Sequence, residues 1–337
     1  MKPLIIPIFV IYKGCPNRCV FCNERITAGD YPDRLTEDTI RNICDKHLNN
    51  SERRFDQIAF YGGNFTGIDR DYQIELLDIA QSYVNAGMVN SIRISTRPDY
   101  IDDDRIELLT QYNVSTVEIG AQSMVDEVLS ASGRGHSSDD IRAAVRLLKG
   151  NEIETGVHLM VGLPSDTRKR FEYTVEEIIG LQPDTVRIHP TIVFKDTSLA
   201  KTYLEGEYQP TTLDDAVELC KYALLKFQKA GIPVIRLGLH TTKEMETDNN
   251  IIAGPFHPAF RSLVEGAIFL DMASDLLKST DLKDGDVVLS VAPKDVSNLR
   301  GMNNRNIKIL KESFNLTKIN VREDAKQERW SLMIGNN

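Results

Sequence analysis

Residues 13–24 read KGCPNRCVFCNE and hold three of the chain's five cysteines, at the spacing Cys-x3-Cys-x2-Cys. They follow the apolar run IIPIFVI (5–11), which predicts a buried first strand. A cluster of thiols in the loop that leaves a buried strand is the first indication of both the fold and the site.

Three thiols this close together allow three interpretations. A disulfide framework leaves one thiol over and needs an oxidising compartment. A structural zinc site usually has four ligands, and the remaining candidates are Cys44 and Cys220, which are isolated in helical patterns, and His47, on a predicted surface helix. A 4Fe-4S cluster uses thiolates at such short spacing. With only three thiolates, one iron would keep an open position for a small chelating molecule.

Composition limits the classes of function. The chain has 337 residues, with 41% hydrophobic and 26% charged, which is typical of a soluble globular protein. A net charge of −9 and a pI near 5.3 disfavour general binding to nucleic-acid phosphates, although a local basic patch remains open. The first apolar run contains prolines and is too short to span a bilayer. We therefore expect a cytoplasmic protein with no membrane partner.

Strand and helix patterns alternate through the first 240 residues, which is typical of a parallel α/β fold. The predicted strands are residues 5–11, 57–63, 91–97, 116–122, 155–163 and 185–193. Amphipathic helices are predicted between them, among them one after Leu35 and one from Asp71, which we place near its N-cap. In such folds functional groups gather at the carboxyl ends of the strands.

The cysteine motif, with Phe21 directly before the last thiol, resembles the signature of the radical S-adenosylmethionine (SAM) enzymes. The resemblance implies a partial (β/α)6 TIM-like barrel and a 4Fe-4S cluster on Cys15, Cys19 and Cys22, with SAM chelating the open iron. It further implies reductive cleavage of SAM to a 5′-deoxyadenosyl radical that abstracts hydrogen from a substrate. An oxygen-sensitive cluster and an electron donor such as flavodoxin or ferredoxin follow from the same resemblance.

The segment YGGNFTG (61–67) follows the second predicted strand. It resembles the family's GGE motif, whose backbone holds the methionine amino group; here the glycines are Gly62 and Gly63. Asn64 stands in place of the glutamate. Its amide oxygen can accept a hydrogen bond from an ammonium group but supplies no charge.

Residues 117–136 are similar to oxygen-independent coproporphyrinogen oxidase and to the catalytic subunit of Elongator. The similarity implies that Gln122 contacts the ribose and that Arg134 pairs with the methionine carboxylate, for which a planar guanidinium is suited. Two further segments resemble the Elongator subunit. In STRPD (95–99), Ser95 stands where a ribose-binding glutamate is expected; in VHLMVGLP (157–164), His158 lies on the adenine-side strand.

The resemblance to Elongator extends from about Lys2 to Asp271, and three departures define it. The gap before the second cysteine is shorter, no segment has the length of an acetyltransferase domain, and a basic N-terminal segment is missing. We expect an abbreviated Elongator-like protein, in which these departures argue against tRNA modification. We also expect two domains, a barrel over residues 1–271 and a small C-terminal α+β appendage over residues 280–337, with strands at 286–293 and in 317–334 and a helix at 296–314.

The substrate is the least defined part of this interpretation. Polar side chains at or near predicted strand ends are the candidates for contacting it: Tyr61, Arg187, His189, Arg236, His240 and His257. They favour a small polar or anionic metabolite. Two alternatives stay open, namely RNA or polypeptide modification by the same chemistry, and a non-catalytic iron-sulfur protein that transfers electrons.

Overall fold

The structure, a computed structural model, describes residues 4–11, 13–29, 31–51, 54–246, 249–280 and 285–335. Strands and helices alternate over most of this length, as the sequence predicts. The strands of these ranges are β1 Ile5–Phe9, β2 Gln57–Tyr61, β3 Ser91–Thr96, β4 Val114–Gln122, β5 Glu154–Val161, β6 Thr185–Pro190, β7 Val193–Phe194, β8 Val234–Leu237, β9 Ile251–Ala253, β10 Asp286–Val291, β11 Lys318–Glu323 and β12 Leu332–Gly335.

Seven strands form the main sheet, in the order β1-β2-β3-β4-β5-β6-β8, and every neighbouring pair is parallel. Their carboxyl ends therefore meet at one edge of the sheet. Because β1 and β8 lie at opposite ends of the order, the sheet is a partial barrel. The predicted α/β partial barrel is confirmed, and β8 adds a seventh strand to the six expected.

The helices of the described ranges, of which the longer ones cover the convex face, are α1 Glu24–Ala28, α2 Glu37–Asn49, α3 Arg70–Asn85, α4 Asp103–Gln111, α5 Asp126–Ala131, α6 Ser138–Gly150, α7 Arg168–Leu181, α8 Ser198–Leu204, α9 Leu213–Lys229, α10 Lys243–Glu246, α11 Phe260–Lys278, α12 Val296–Arg300 and α13 Arg305–Ser313. Side chains cap their first turns. Thr36 accepts the N–H of Thr39 at the start of α2, and Asp69 accepts that of Tyr72 at the start of α3. The N-cap of α3 is therefore Asp69, and Asp71 lies near the cap, in the first turn, as predicted.

Alternation along the strands separates an apolar face from a polar one. In β6, Val186 and Ile188 are fully buried in the main core, whereas Arg187 and His189 lie on the opposite, concave side. We call this concave side the lumen. Because paired residues of neighbouring strands point to the same side of the sheet, the polar residues of several strands lie side by side in the lumen. They are Gln57, Arg93, Glu118, His158, Arg187 and Arg236.

The C-terminal region forms a second, three-stranded sheet in the order β11-β10-β12. The predicted helix at 296–314 is two helices, α12 and α13. Gly301, Asn303 and Asn304 between them all have positive φ, which glycine and asparagine tolerate and which no helix can continue through. α11 packs into both cores, with Phe260 in the main one and Phe269 in the C-terminal one.

One continuous helix thus joins the two regions, and the division into residues 1–271 and 280–337 stays a proposal. Residues 1–3 and 336–337, at the ends of the two predicted domains, lie outside the described ranges, as do residues 281–284. No helix in the described part of the chain is long and apolar enough to cross a membrane.

Candidate active site

The cysteine loop leaves β1 at the carboxyl edge of the sheet and is held there by backbone contacts. Gly14 lies so close to the loop after β2 that a Cβ atom would come within 2.0 Å of the Asn64 carbonyl oxygen. Val20 donates its N–H to Ser132 O at 3.1 Å and accepts the N–H of Leu199 at 2.8 Å. Four separate segments of the chain therefore determine where the thiols lie.

The three thiols differ in exposure: Cys15 is exposed, Cys22 is intermediate and Cys19 is buried. No three His, Cys, Asp or Glu side chains among the described residues lie close enough together to hold one metal ion. That arrangement does not correspond to a preformed single-ion site. It is compatible with a larger group such as an iron-sulfur cluster, whose ligands are all thiolates.

The other two cysteines are core residues, as predicted. Cys44 in α2 and Cys220 in α9 are both fully buried in the main apolar core. Burial raises the pKa of each thiol, to about 12 for Cys44. His47 donates through Nδ1–H to the Ile43 carbonyl oxygen, 2.9 Å away on its own helix. None of the three is placed to be a fourth ligand.

Two arginines lie beside the thiols. Arg134 Nη1 is 3.1 Å from Cys19 Sγ, and its Nη2 donates to Gly120 O at 2.5 Å. Arg97, 2% exposed, pairs with Asp99 at 2.8 Å. Desolvation raises the pKa of the Cys15 thiol most, and the Glu24 carboxylate adds to the rise. The two guanidiniums lower the pKa by less, so that it remains raised, at about 11. Positive charge next to thiols favours their thiolate form once a metal group displaces the protons.

The loop after β2 is built for close backbone approach. Gly62 has φ of +83°, and a Cβ atom on Gly63 would lie 2.4 Å from Lys13 O. The side chain of Asn64 connects three segments: its Nδ2 donates to Gly14 O at 2.7 Å, and its Oδ1 accepts from Thr96 Oγ1 at 2.5 Å and from the N–H of Arg97 at 3.1 Å.

Both polar atoms of Asn64 are therefore engaged within the protein, and its role as an ammonium acceptor stays a prediction. A residue that the sequence reasoning missed lies next to it. Glu24 Oε1 accepts the N–H of Gly63 at 2.6 Å, and its charge raises the pKa of both Cys15 and Cys22. Glu24 thus brings a carboxylate to the double-glycine segment, in which Asn64 replaces the glutamate of the family's motif. Its position two residues after the last cysteine was the only sequence signal for it.

The remaining predicted cofactor contacts lie along the same edge. Gln122 ends β4 with φ of +70°, unusual for a residue other than glycine, and is 6% exposed. Ser95 donates weakly to Phe60 O at 3.4 Å on the lumen side of β3. Phe21 packs among Val128, Met160 and Leu163, and so holds the cysteine loop against the ends of the strands.

His158 lies in the lumen, and it packs edge-to-face against His189 with ring centroids 4.3 Å apart. Desolvation lowers the pKa of His158 to about 3 and that of His189 also well below its usual value, so both rings are neutral at pH 7. Two of the other predicted substrate residues lie apart from this pair: His240 is exposed, and His257 Nδ1 accepts the N–H of Ala259 at 3.1 Å within its own turn.

Beside the two histidines, connected polar and charged side chains occupy the lumen. We call this set the lumen network: Gln57, Tyr61, Arg93, Glu118 and Arg187. Arg93 donates to Gln57 Oε1 at 2.8 Å and to Glu118 Oε1 at 2.6 Å. Arg187 donates through Nη2 to Glu118 Oε1 at 2.8 Å and to Tyr61 OH at 3.0 Å. Burial, and then the Glu118 charge, raise the pKa of Tyr61 to about 12. Glu118 and Arg93 were not predicted, although a carboxylate on the lumen side of an apolar strand was visible in the sequence.

Several buried polar atoms at the carboxyl edge have no hydrogen-bond partner within the described ranges. We call four of them the rim atoms: Gln122 Oε1, Arg134 Nε, His158 Nε2 and His189 Nε2. Buried polar atoms are rarely left unpaired in folded proteins. A polar ligand at this edge would pair them. These hydrogen-bond donors and acceptors therefore fit the amino-acid and nucleoside parts of SAM, next to a cluster on the three thiols.

Comparison with known proteins agrees with the geometry. The family model of the radical SAM superfamily matches residues 9–178, half of the chain. The chain belongs to the radical SAM superfamily. A second family model, the Radical_SAM C-terminal domain, matches residues 183–268. Radical SAM enzymes use a 4Fe-4S cluster and SAM, so the predicted enzyme class and its cofactors are confirmed at the level of the family.

Among curated proteins, a tRNA uridine(34) acetyltransferase of Methanocaldococcus jannaschii is 27% identical over 260 residues, which are 65% of this chain and 48% of that protein. Protein YhcC of Escherichia coli is 25% identical over 216 residues, 60% of this chain and 68% of that protein. The radical SAM chain described here spans about half the length of the acetyltransferases that it matches.

Among solved structures, Elp3 of Methanocaldococcus infernus with residues 1–46 deleted superposes with a TM-score of 0.61 at 21% identity, over 83% of this chain and 68% of that one. Coproporphyrinogen III oxidase HemN of Escherichia coli gives 0.50 at 16% identity, over 68% and 54% of the two chains. Both likenesses confirm the radical SAM fold, and they confirm the predicted resemblance to these two relatives.

Proposed function

We propose that this radical SAM enzyme binds its cluster through Cys15, Cys19 and Cys22 and holds SAM along the carboxyl edge of β2 to β5. Arg134 would pair with the methionine carboxylate, Gln122 and Ser95 would contact the ribose, and the backbone of Gly62 and Gly63 would hold the amino group. When bound, the reduced cluster and SAM supply a 5′-deoxyadenosyl radical that abstracts a hydrogen atom from the substrate.

The observation that carries this proposal is the grouping of the rim atoms with the thiols. Arg134 contributes to both groups, because Nη1 lies 3.1 Å from Cys19 Sγ while its buried Nε has no partner in the described structure. A guanidinium that touches a thiol and keeps a free donor is placed to bind a carboxylate beside the cluster. His158 and Phe21 border the same edge and complete the proposed cofactor contacts.

The substrate that we propose is a small polar metabolite, which would enter the lumen above the lumen network. Tyr61, Arg187, His189 and Arg236 would surround it. His240, which is exposed, would contact it only from the entrance. Radical SAM enzymes require a reductant, and we propose a small electron carrier such as flavodoxin or ferredoxin, in the cytoplasm.

Formation of 5′-deoxyadenosine tests the function directly. Anaerobically reconstituted protein with dithionite and SAM should release 5′-deoxyadenosine and methionine, and fractions of a metabolite extract that contain the substrate should accelerate the release. A variant with Cys15, Cys19 and Cys22 all changed to Ala is the matched control and should release none. Reduced, cluster-loaded protein that never forms 5′-deoxyadenosine under any of these conditions would contradict the proposal.

RNA modification is the second candidate, and one observation favours it: the 27% identical relative is named a tRNA uridine(34) acetyltransferase. The chain's net charge of −9 argues against it, because binding to RNA phosphates needs a positive surface. Total tRNA added in place of the metabolite fractions separates the two candidates. A tRNA substrate should stimulate 5′-deoxyadenosine release, and binding should weaken steeply as salt rises.

A further inference from the structure

Arg236 is a charged side chain at the open end of the sheet that has no partner among the described residues. It lies on β8, the last strand, in register with Arg187 on β6, so the two guanidiniums face the lumen side by side. Burial, and then the neighbouring Arg187, lower the pKa of Arg236. No hydrogen bond or ion pair joins Arg236 to any residue in the part of the chain that the structure describes.

The nearby carboxylates are already engaged. Glu118 pairs with Arg187 at 2.7 Å and with Arg93 at 2.6 Å, and it influences Arg236 only from a distance. Glu265 pairs with Arg261, also at 2.7 Å. The lumen next to β8 therefore contains more positive than negative charge, and Arg236 is the cation left over.

Two neutral imidazole rings lie beside Arg187, the neighbour of this cation. His189 follows Arg187 on the lumen face of β6, and His158 packs against it from β5. Each ring has a buried Nε2 atom without a partner in the described ranges. Neutral imidazoles can donate one hydrogen bond each without adding charge. A cation with adjacent neutral donors is suited to an oxyanion, because a guanidinium binds carboxylate and phosphate through two parallel N–H groups.

We propose that Arg236 binds an oxyanion of the substrate, a carboxylate or a phosphate group, with His189 as the neighbouring hydrogen-bond donor. The inference rests on the proposed function, since it names the charge class of the molecule that enters the lumen. It also has a consequence that does not involve catalysis. A half-buried cation beside another cation destabilises the folded protein unless an anion binds.

Thermal unfolding of the full-length protein tests this with simple anions. Inorganic phosphate and sodium acetate would each be titrated at constant ionic strength against sodium chloride. At about ten times its Kd the binding anion should raise Tm by about 2 °C, and Tm should go on rising with the logarithm of the anion concentration. Arg236→Gln should abolish this rise, Arg236→Lys should weaken it, and in chloride alone Arg236→Gln should have a Tm equal to or above that of the parent.

Arg168→Gln is the matched control, because it removes a positive charge from the outer surface of α7, where the Arg168 side chain is 55% exposed. It should keep the full response to the anion. A response to phosphate alone assigns a phosphate-bearing substrate, and a response to acetate alone assigns a carboxylate. The proposal is overturned if neither anion raises Tm above the chloride control, if Arg236→Gln responds like the parent, or if it lowers Tm in chloride, which would make Arg236 a structural residue.

Failure of this inference and failure of the proposed function are distinguishable, because the anion response needs neither cluster nor SAM. Protein that forms 5′-deoxyadenosine but shows no Arg236-dependent rise in Tm retains the radical function and loses the oxyanion site. Protein that shows the rise but never forms 5′-deoxyadenosine retains the site and loses the function.

Discussion

The lumen network and the rim atoms occupy neighbouring levels of the same half-barrel, yet they differ in how well their polar groups are paired. In the lumen network, Glu118 accepts hydrogen bonds from Arg93 and Arg187, both of which have further partners. Arg187 Nε, which makes no hydrogen bond of good geometry in the described ranges, still lies in an ion pair 2.7 Å from Glu118 Oε2. At the rim, Gln122 Oε1 and Arg134 Nε are buried without any partner among the described residues. A satisfied network stabilises the fold, whereas unsatisfied groups cost stability and indicate binding. Substitutions in the lumen network should therefore lower stability, whereas substitutions at the rim should lower ligand binding.

The largest expected effect is on the cysteine loop beside the rim. Changing Cys15, Cys19 and Cys22 together to Ala should reduce bound iron from about four per chain to none, because the cubane loses its ligands. Iron and sulfide analysis after anaerobic reconstitution measures this. Cys44→Ala and Cys220→Ala, whose thiols lie in the apolar core, are the controls and should retain full loading. Retention of the cluster by the triple variant would contradict the assignment.

The lumen network should respond in stability. Glu118→Ala leaves Arg93 and Arg187 buried without their carboxylate, and should lower the free energy of unfolding by about 3–5 kcal/mol. Urea unfolding of the apo-protein measures the loss. Glu37→Ala removes a comparable but exposed pair with Arg41 on α2 and should leave the free energy of unfolding nearly unchanged. Equal losses in both variants would show that the lumen network is no more structural than the surface.

Arg134→Ala, a substitution at the rim, should weaken SAM binding without loss of the cluster. Removing its charged hydrogen bond to the methionine carboxylate should cost about 1.5–3 kcal/mol of SAM affinity, which is about one to two powers of ten in Kd. Titration calorimetry of the reconstituted proteins measures it. Ser95→Ala, which removes one neutral hydroxyl, should weaken binding less. An Arg134→Ala protein that binds SAM as tightly as the parent would exclude the predicted role.

The smallest expected effect is a pH dependence of stability. The folded pKa of His158 is about 3, below the 6.5 usual for an unfolded chain, so as pH falls the unfolded state takes up the proton first. The contribution of neutral His158 to the free energy of unfolding is complete above pH 6.5 and is lost as pH falls towards 3. Between pH 7.5 and 6.0 the loss should be about 0.8 kcal/mol. His158→Gln should reduce the pH dependence of urea unfolding by that amount; identical profiles for parent and variant would contradict burial of a neutral ring.

Much of this protein follows from local pattern. Three thiols at Cys-x3-Cys-x2-Cys predicted the cofactor class, and alternating strand and helix patterns predicted the parallel sheet, because both depend on residues close together in the chain. Errors arose where local signals were weak. The predicted helix at 296–314 breaks at Gly301 and two left-handed asparagines, and β8 was not predicted as a seventh strand because four residues carry little periodicity.

The sequence by itself determined the family, the cofactors and the strand that precedes the thiols. Only the tertiary structure decided which polar residues are paired and which are not. Asn64 is engaged by Gly14 and Thr96, and Glu24 lies at Gly63, across a distance of 39 positions in the chain. Within the described ranges Arg236 has no partner, because Glu118 is already shared by two other arginines. Pairing depends on strand register and loop packing, which bring distant residues together and which no local pattern encodes.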